Sequence, residues 1–305
     1  MRETDPLVSV NILTYNRKSE LRNTLNKVYE QDYKNIEVIV VDNASSDGTE
    51  EMLKNEFPQV AVIRLDKNIG APGYNYGFER ASGEYILILD DDSYPLEGAI
   101  KKGLETISED EKTGIIAFNV FNTRYKVTET KSFEKFPFSF IGCGALIKKS
   151  LLDTIGYYSK DYFLYHNELD LSARAYNAGF NIVYLKEAAV IHNQSELSRG
   201  DKPVDPLISK FRYYNMFVSY SIFILQNFDM RRVITEEFKW IINRLIICLK
   251  FPYLTVFLKA LFFLKKNLLD IMSRRKVLRP EVQKLYYKKI PFVERDFFPD
   301  FKKPF

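Results

Sequence analysis

At 305 residues the chain is longer than a typical single domain, which points to one large α/β domain carrying an appendage. Its two cysteines, Cys143 and Cys248, lie far apart in no metal-ligand spacing, which excludes a disulfide scaffold and suits a reducing compartment. The net charge of +4 hides a split: residues 1–200 carry 23 Lys+Arg against 30 Asp+Glu, and residues 201–305 carry 21 against 10, so the tail is suited to an anionic surface.

No basic-then-apolar leader precedes the first strand, so a cytoplasmic protein is expected. Leu7–Leu13 reads as that strand, with a polar turn at Thr14-Tyr15-Asn16-Arg17 and a helix capped by Ser19 running to about Tyr29. Ile36–Val41 is a second apolar strand. It ends in Asp42-Asn43-Ala44-Ser45-Ser46-Asp47-Gly48-Thr49, where Asp47 or Thr49 is free to cap the next helix. Val60–Leu65, a helix over Ala71–Ala81 and a strand at Tyr85–Leu89 follow. Strands alternating with helical stretches mean βαβ units and a parallel sheet, so residues 1–95 read as the nucleotide-binding half of a doubly wound fold.

Beyond it, Ile115–Phe121 and Phe140–Ile147 read as strands across a hairpin-like stretch, and Glu168–Ala178 as a helix closed by Gly179. Asn181–Leu185 is the last strand, with His192 shortly after. These elements make up a second half, residues 96–205. From about Lys210 the character changes. Tyr213–Phe228 holds 16 residues without charge, and Tyr253–Met272 is apolar with Lys259, Lys265, Lys266 and Asp270 interleaved. Neither reaches the roughly 20 apolar residues that span a bilayer. Pro252 breaks the helical pattern between them. Residues 206–305 are therefore expected to be a basic, aromatic-rich region built on two or three amphipathic helices, serving as a lid on the core, a membrane-surface element or both.

The chemistry concentrates at strand ends. Asp90-Asp91-Asp92 directly follows the buried run Tyr85–Leu89, at the sheet edge where open α/β folds bind ligands. Three adjacent carboxylates repel, so a cation between them is the natural complement, and a divalent ion that bridges phosphates suits them best. Tyr15, Asp42 and the Asn68–Gly77 segment follow the other strands and open on the same edge. Asp42 can accept from a base N–H, Tyr15 offers a ring, Asn75 offers an amide, and Gly70, Gly73 and Gly77 let backbone approach a sugar or phosphate. The glycine spacing is neither the dinucleotide fingerprint nor a phosphate loop, which disfavours a dehydrogenase or an ATPase.

Val8-Ser9-Val10-Asn11-Ile12-Leu13-Thr14-Tyr15-Asn16-Arg17, the segment Val40–Thr49 and Leu89-Asp90-Asp91-Asp92 together resemble the family 2 inverting glycosyltransferases of GT-A fold, in their rhamnosyltransferase-like branch. The likeness covers roughly residues 7–195. It implies an α/β GT-A catalytic domain over residues 1–205, whose second half binds the acceptor. It also implies a UDP- or dTDP-linked nucleotide-sugar donor and Mg²⁺ or Mn²⁺ on its diphosphate. The nucleotide-sugar would meet Thr14, Tyr15, Asn16, Arg17, Asp42, Asn43, Asn68, Gly70, Asn75, Asp90 and Asp91, and the metal would meet Asp92, Asp90 and His192.

Asn167-Glu168-Leu169-Asp170-Leu171, with Arg174 and Gly179, is similar to the family's general-base motif. Both Glu168 and Asp170 are candidates. Residues two apart on a helix face different sides, so one of them points into the site. Asp170 can pair with Arg174 on the outer face, which favours Glu168, ionised at its ordinary pKa of about 4.3. His166, Phe163, Tyr165 and the Gly142-Cys143-Gly144 turn are expected to shape the sugar and acceptor side.

The expected activity is transfer of a hexosyl or deoxyhexosyl group to a hydroxyl of a glycan or lipid-linked acceptor, in cell-surface polysaccharide or glycoconjugate synthesis. It would proceed in one or a few transfers per encounter at the inner face of the cell membrane. A non-catalytic nucleotide-sugar-binding scaffold of the same fold is the alternative. A nucleotidyltransferase is disfavoured, because Thr14–Lys18 is not a glycine-rich basic loop. An anionic membrane surface is the expected partner of the C-terminal region and nucleic acid is not; a homodimer is the expected oligomer, if any.

Overall fold

A computed structural model describes residues 5–131, 133–194, 209–250 and 253–287. β1 (Val8–Thr14), β2 (Ile36–Asp42), β3 (Ala61–Arg64) and β4 (Tyr85–Asp90) are parallel in the order β3-β2-β1-β4. The alternation of apolar runs with α1 (Lys18–Tyr29), α2 (Thr49–Glu56) and α3 (Tyr74–Arg80) produces this half, because each crossover helix returns the chain to the same end of the sheet. In register, Thr14 faces Asp42 and Leu13 faces Asp90, so the turn after β1, the end of β2 and the acidic triplet share one edge.

Helix starts differ from expectation in a way that serves that edge. α1 begins at Lys18 and Ser19 lies inside it, because the Lys18 amide donates to Asp47 Oδ2 (2.9 Å) from the neighbouring loop. Asp47 Oδ1 also accepts from the Thr49 amide (3.1 Å), so one carboxylate serves the first turns of two helices. Pro72 and Gly73 lie in a 3₁₀ turn, Ala71–Gly73, which shortens the expected helix to α3.

The second half is mixed. β5 (Ser93–Pro95), α4 (Ala99–Ser108), β6 (Thr113–Asn122) and the short β7 (Val127–Thr128) precede β8 (Ala145–Lys148). α5 (Lys149–Ile155), α6 (Asn167–Asn177) and β9 (Asn181–His192) follow. β8 pairs antiparallel with both β4 and β6, continuing the order as β4-β8-β6-β9-β5. It starts at Ala145 rather than Phe140, after the Gly142–Gly144 turn. β9 does not stop at Leu185. A bulge beside Phe118 and Asn119 accommodates the exposed Lys186 and Glu187, and pairing resumes at Ala189 to reach His192.

Three helices follow, α7 (Lys210–Asn227), α8 (Met230–Lys250) and α9 (Leu254–Ser273), and then a helical segment 280–287. The expected break at Pro252 lies outside the described residues. α7 is buried almost all round, and its apolar side chains form one cluster with Tyr162, Leu169, Trp240, Phe257 and Tyr286. The C-terminal helices therefore pack on the core at α6. No helix among the described residues is long and apolar enough to cross a membrane.

Gly77 shows why α3 lies so close to the sheet. A Cβ there would sit 2.0 Å from Asn11 Oδ1, and the Asn11 amide donates to the Tyr74 carbonyl (3.0 Å). Gly73 and Gly77 thus admit the protein's own β1 side chains, not the expected sugar or phosphate. Gly77→Ala is expected to cost about 1–3 kcal/mol by overpacking. Urea denaturation reads this as a lower midpoint, and an unchanged midpoint would contradict the packing.

Candidate active site

Asp90, Asp91 and Asp92 leave β4 with three different sets of partners. Asp91 and Asp92 are almost fully buried and share the Arg17 guanidinium, which lies 3.3 Å from Asp91 Oδ1 and bonds Asp92 Oδ2. Asp91 also accepts from the Thr14 hydroxyl (3.0 Å) and the Tyr15 amide (3.4 Å). Burial opposes the charge on Arg17, but Asp91 and Asp92 outweigh it and hold the guanidinium pKa above its ordinary value. Asp90 stays partly open and takes the Tyr74 hydroxyl on Oδ1 (2.7 Å). Burial and the neighbouring Asp92 raise its pKa, while His192, Tyr74 and Arg17 oppose the rise.

His192, the last residue of β9, is brought to this cluster by antiparallel pairing with Ser93. Its Nε2 lies 3.5 Å from Asp92 Oδ1 and its Nδ1 lies 2.7 Å from Glu129 Oε1. Burial works against charging the ring, yet the hydrogen bonds to Cys143 and Glu129 and the Asp92 charge together raise its pKa. Asp90, Cys143 and His192 present one ligand atom each within 4.8 Å of one another. Burial pushes the Cys143 thiol up to about 12, so it is neutral near pH 7.

A second group lines the edge beside β2. Asp42 is fully buried; Oδ1 accepts from the Ser45 amide (2.8 Å) and Oδ2 from Arg64 (2.9 Å). Asn16, at a left-handed φ of 52°, accepts from the Ser46 amide (2.7 Å) and joins the first loop to the second. Asn43 donates to the Gly70 carbonyl (3.0 Å), and Asn68 Oδ1 takes the Gly70 amide (2.9 Å). Gly70 has φ +73°, and a Cβ there would lie 1.9 Å from the Phe163 carbonyl oxygen, so this loop is seated on the chain before α6. Asn75 is spent on the same junction: its side chain donates to the Tyr158 carbonyl (2.8 Å) and accepts from the Tyr158 amide (3.0 Å).

Tyr165 and His166 both take left-handed φ values, 66° and 63°, immediately before α6. Two such bulky residues in succession are strained and turn the helix start toward the acidic edge. Burial drives His166 down to about 3, so it stays a neutral ring against Tyr220 (5.2 Å). Glu168 follows, partly open to solvent. A Cβ on Gly142 would lie 2.4 Å from its Oε1, so that glycine leaves the carboxyl its place. Burial pushes the Glu168 pKa up to about 7, with Asp90 adding to the rise and its own amide opposing it. An ordinary carboxyl at about 4.3 was expected, and the enclosed site explains the difference.

Asp170 does pair with Arg174 (2.9 Å), but not on an outer face. It is buried, and its other oxygen meets Tyr162 and Asn227, each at 3.4 Å. Arg174 continues to the carbonyls of Ile155 (2.7 Å) and Tyr157 (2.8 Å), so the pair fastens α6 to its neighbours.

The match to the family model described as glycosyl transferase family 2 spans residues 9–183, more than half of the chain. The chain belongs to glycosyl transferase family 2. A GalNAc(5)-diNAcBac-PP-undecaprenol beta-1,3-glucosyltransferase of Campylobacter jejuni is 35% identical over 109 residues, 34% of this chain and 35% of that protein. The chain spans less than two thirds of the length of the first curated relatives it matches. Among solved structures, a mannosyltransferase of Pyrobaculum calidifontis in complex with GDP-Man and Mn²⁺ superposes with a TM-score of 0.59 at 19% identity, over 95% of this chain and 81% of that one. S. aureus TarS 1–349 in complex with UDP-GlcNAc gives 0.56 at 21% identity, over 72% and 66%. The fold is of the GT-A type.

Three residues of this family 2 site escaped sequence reasoning. Glu129 reaches His192 through the β6–β7 hairpin, and no spacing announced it. Tyr74 sits in the glycine-bearing segment and holds Asp90. Arg64 ends β3 opposite Asp42, a strand-end position that was legible in principle. Removing Arg17 would leave Asp91 and Asp92, both almost fully buried, without their shared cation. Arg17→Ala is expected to cost about 3 kcal/mol, at the low end for a broken buried pair because the guanidinium is partly exposed. Thermal unfolding checks this, and an unchanged Tm would show that the triplet does not depend on Arg17.

Proposed function

We propose that the chain transfers a hexosyl or deoxyhexosyl group, with inversion, from a UDP- or dTDP-linked donor to a hydroxyl of a glycan or lipid-linked acceptor. The observation that carries this reading is the Glu168 carboxyl, seated beside Gly142 and electrostatically coupled to Asp90 at the edge holding the acidic cluster. The Campylobacter relative is named for a polyprenyl-linked glucosyl transfer, which supports the acceptor class. The two solved structures of this fold are complexes with UDP-GlcNAc and with GDP-Man, which supports a nucleotide-sugar as donor class.

In this reading Glu168, ionised, accepts the proton of the acceptor hydroxyl. The acceptor oxygen bonds to the anomeric carbon from the face opposite the diphosphate. The anomeric carbon–oxygen bond breaks, and its electron pair leaves with the nucleoside diphosphate. The step needs no covalent enzyme intermediate. Asp42, Arg64 and Tyr15, at the ends of β2, β3 and β1, would meet the nucleoside, and Arg17 would face the charge that develops on the diphosphate.

Asp90 and His192 fit a divalent cation: their ligand atoms lie within 4.8 Å of each other and of Cys143, and Asp92 Oδ1 lies 3.5 Å from His192 Nε2; the ring would give up its proton to ligate, and the neutral Cys143 thiol is the poor member of the group. Bound there, Mg²⁺ or Mn²⁺ would supply Lewis-acid neutralisation of the leaving diphosphate.

Glu168→Gln is expected to keep donor binding within about twofold by calorimetry while transfer falls at least ~100-fold. Transfer by the unsubstituted protein should rise as pH increases through about 7, because the raised Glu168 carboxyl ionises only there. A glutamine variant with near-normal turnover would remove Glu168 as the base.

A further inference from the structure

α8 and α9 are apolar on two opposite faces. Their inner faces, with Val233, Trp240, Phe257, Ala260 and Leu264, are buried in the cluster shared with α7. Their outer faces repeat apolar residues at helical spacing, in steps of four or seven to eight residues. Ile234 (67% exposed), Phe238 (66%) and Ile246 (50%) lie along α8, and Leu258 (55%), Phe262 (68%) and Leu269 (87%) along α9. Isolated exposed apolar residues are ordinary on a monomer. A run of them at helical spacing on two packed helices calls for a covering phase.

The charges on this face are one-sided. Lys259, Lys265 and Lys266 interrupt the α9 stripe and have no acidic partner among the described residues. The single acid on α9, Asp270, is held by Arg274. On α8, Glu236 is tied to Lys239 (2.9 Å) and Glu237 is turned inward and largely buried.

We propose that the outer face of α8 and α9 docks on a lipid bilayer carrying anionic headgroups. The apolar stripe would enter the interface and the lysines would meet the phosphates. The basic excess of residues 201–305 agrees in sign. A second copy of the chain suits the face less well, because a symmetric pairing sets these lysines against one another with no acidic complement. The face is also tied to the site: Trp240 of α8 packs on Tyr220 (4.4 Å), and Tyr220 packs on His166, two residues before Glu168.

The test is flotation of the full chain with vesicles of phosphatidylcholine alone or with about one third phosphatidylglycerol, followed without turnover so that it is independent of the catalytic reading. Binding is expected on the anionic vesicles and to weaken as salt is raised. F238D combined with F262D should lower bound protein at least tenfold, with Tm and donor binding kept because both rings are exposed. Lys259→Glu with Lys266→Glu should abolish the preference for anionic lipid. Equal binding by the folded double-aspartate variant would overturn the proposal. So would a sedimentation-detected dimer that the same two substitutions dissociate while the unsubstituted chain ignores vesicles.

Discussion

The ion pair set between Arg17 and the Asp91–Asp92 pair is the constraint around which the site is organised. β4 delivers three consecutive carboxylates to the end of a buried strand, where like charges repel and water is scarce. The fold answers with one guanidinium from the loop after β1, and with Thr14 and the Tyr15 amide on Asp91. That answer works only if the first loop is held rigidly. Asn16 and the Lys18 amide are bonded to Ser46 and Asp47 of the second loop, which Asn43 in turn joins to the third. The loops after β1, β2 and β3 thus form one hydrogen-bonded rim, and a shift in any of them would be felt at Arg17. Asp90 stands apart: it answers to Tyr74 and to the Glu168 side, which leaves it the more open carboxylate of the three.

The opposite wall is built by strain rather than by charge. The left-handed pair Tyr165–His166 could not persist in a free peptide. It is held by the Gly70 loop beneath Phe163, by Tyr220 against the imidazole and by the Asp170–Arg174 fastening one turn later. The reward is a helix start that presents Glu168 to the acidic edge while its neighbours stay buried. The raised pKa of Glu168 follows from the same enclosure. A carboxyl largely enclosed beside Asp90 holds its proton to about 7, so its charge changes within the physiological pH range.

The parallel half was legible because burial on both faces writes β1, β2 and β4 as unbroken apolar runs, and their polar ends named the edge directly. The acidic triplet and Asp42 could be read as candidates for that reason, whereas Glu168 and His192, in the mixed half, were candidates through the family resemblance. What escaped was non-local. Asp47 caps a helix 29 residues away, so α1 begins before the serine that local rules favour. The bulge at Lys186 and Glu187 looked like a strand end, yet β9 resumes because Val190 and Ile191 find partners on β6. Glycines 70, 73 and 77 carried a general signal of close approach, but not whether ligand or protein approaches. Asp170 was correctly paired with Arg174 and wrongly set outside, since the helix face that α7 covers cannot be known from α6 alone.

That burial of Asp170 bears on how the C-terminal helices act. Asn227 of α7 reaches the Asp170 carboxylate, Gln226 and Arg274 converge on Asp161 (2.8 and 3.0 Å), and Ser219 donates to the Leu164 carbonyl (2.9 Å). The segment 159–166, which precedes Glu168, is thus held at Asp161 and Leu164 by α7 and by Arg274 just after α9. A lid loosely laid on the core would not place polar groups this way, since each buried donor left unmatched by a shift is costly. The same helices expose apolar stripes on the side away from α7. The outer face of α8 is thus joined by packed aromatic rings, Trp240 on Tyr220 and Tyr220 on His166, to the turn that precedes Glu168.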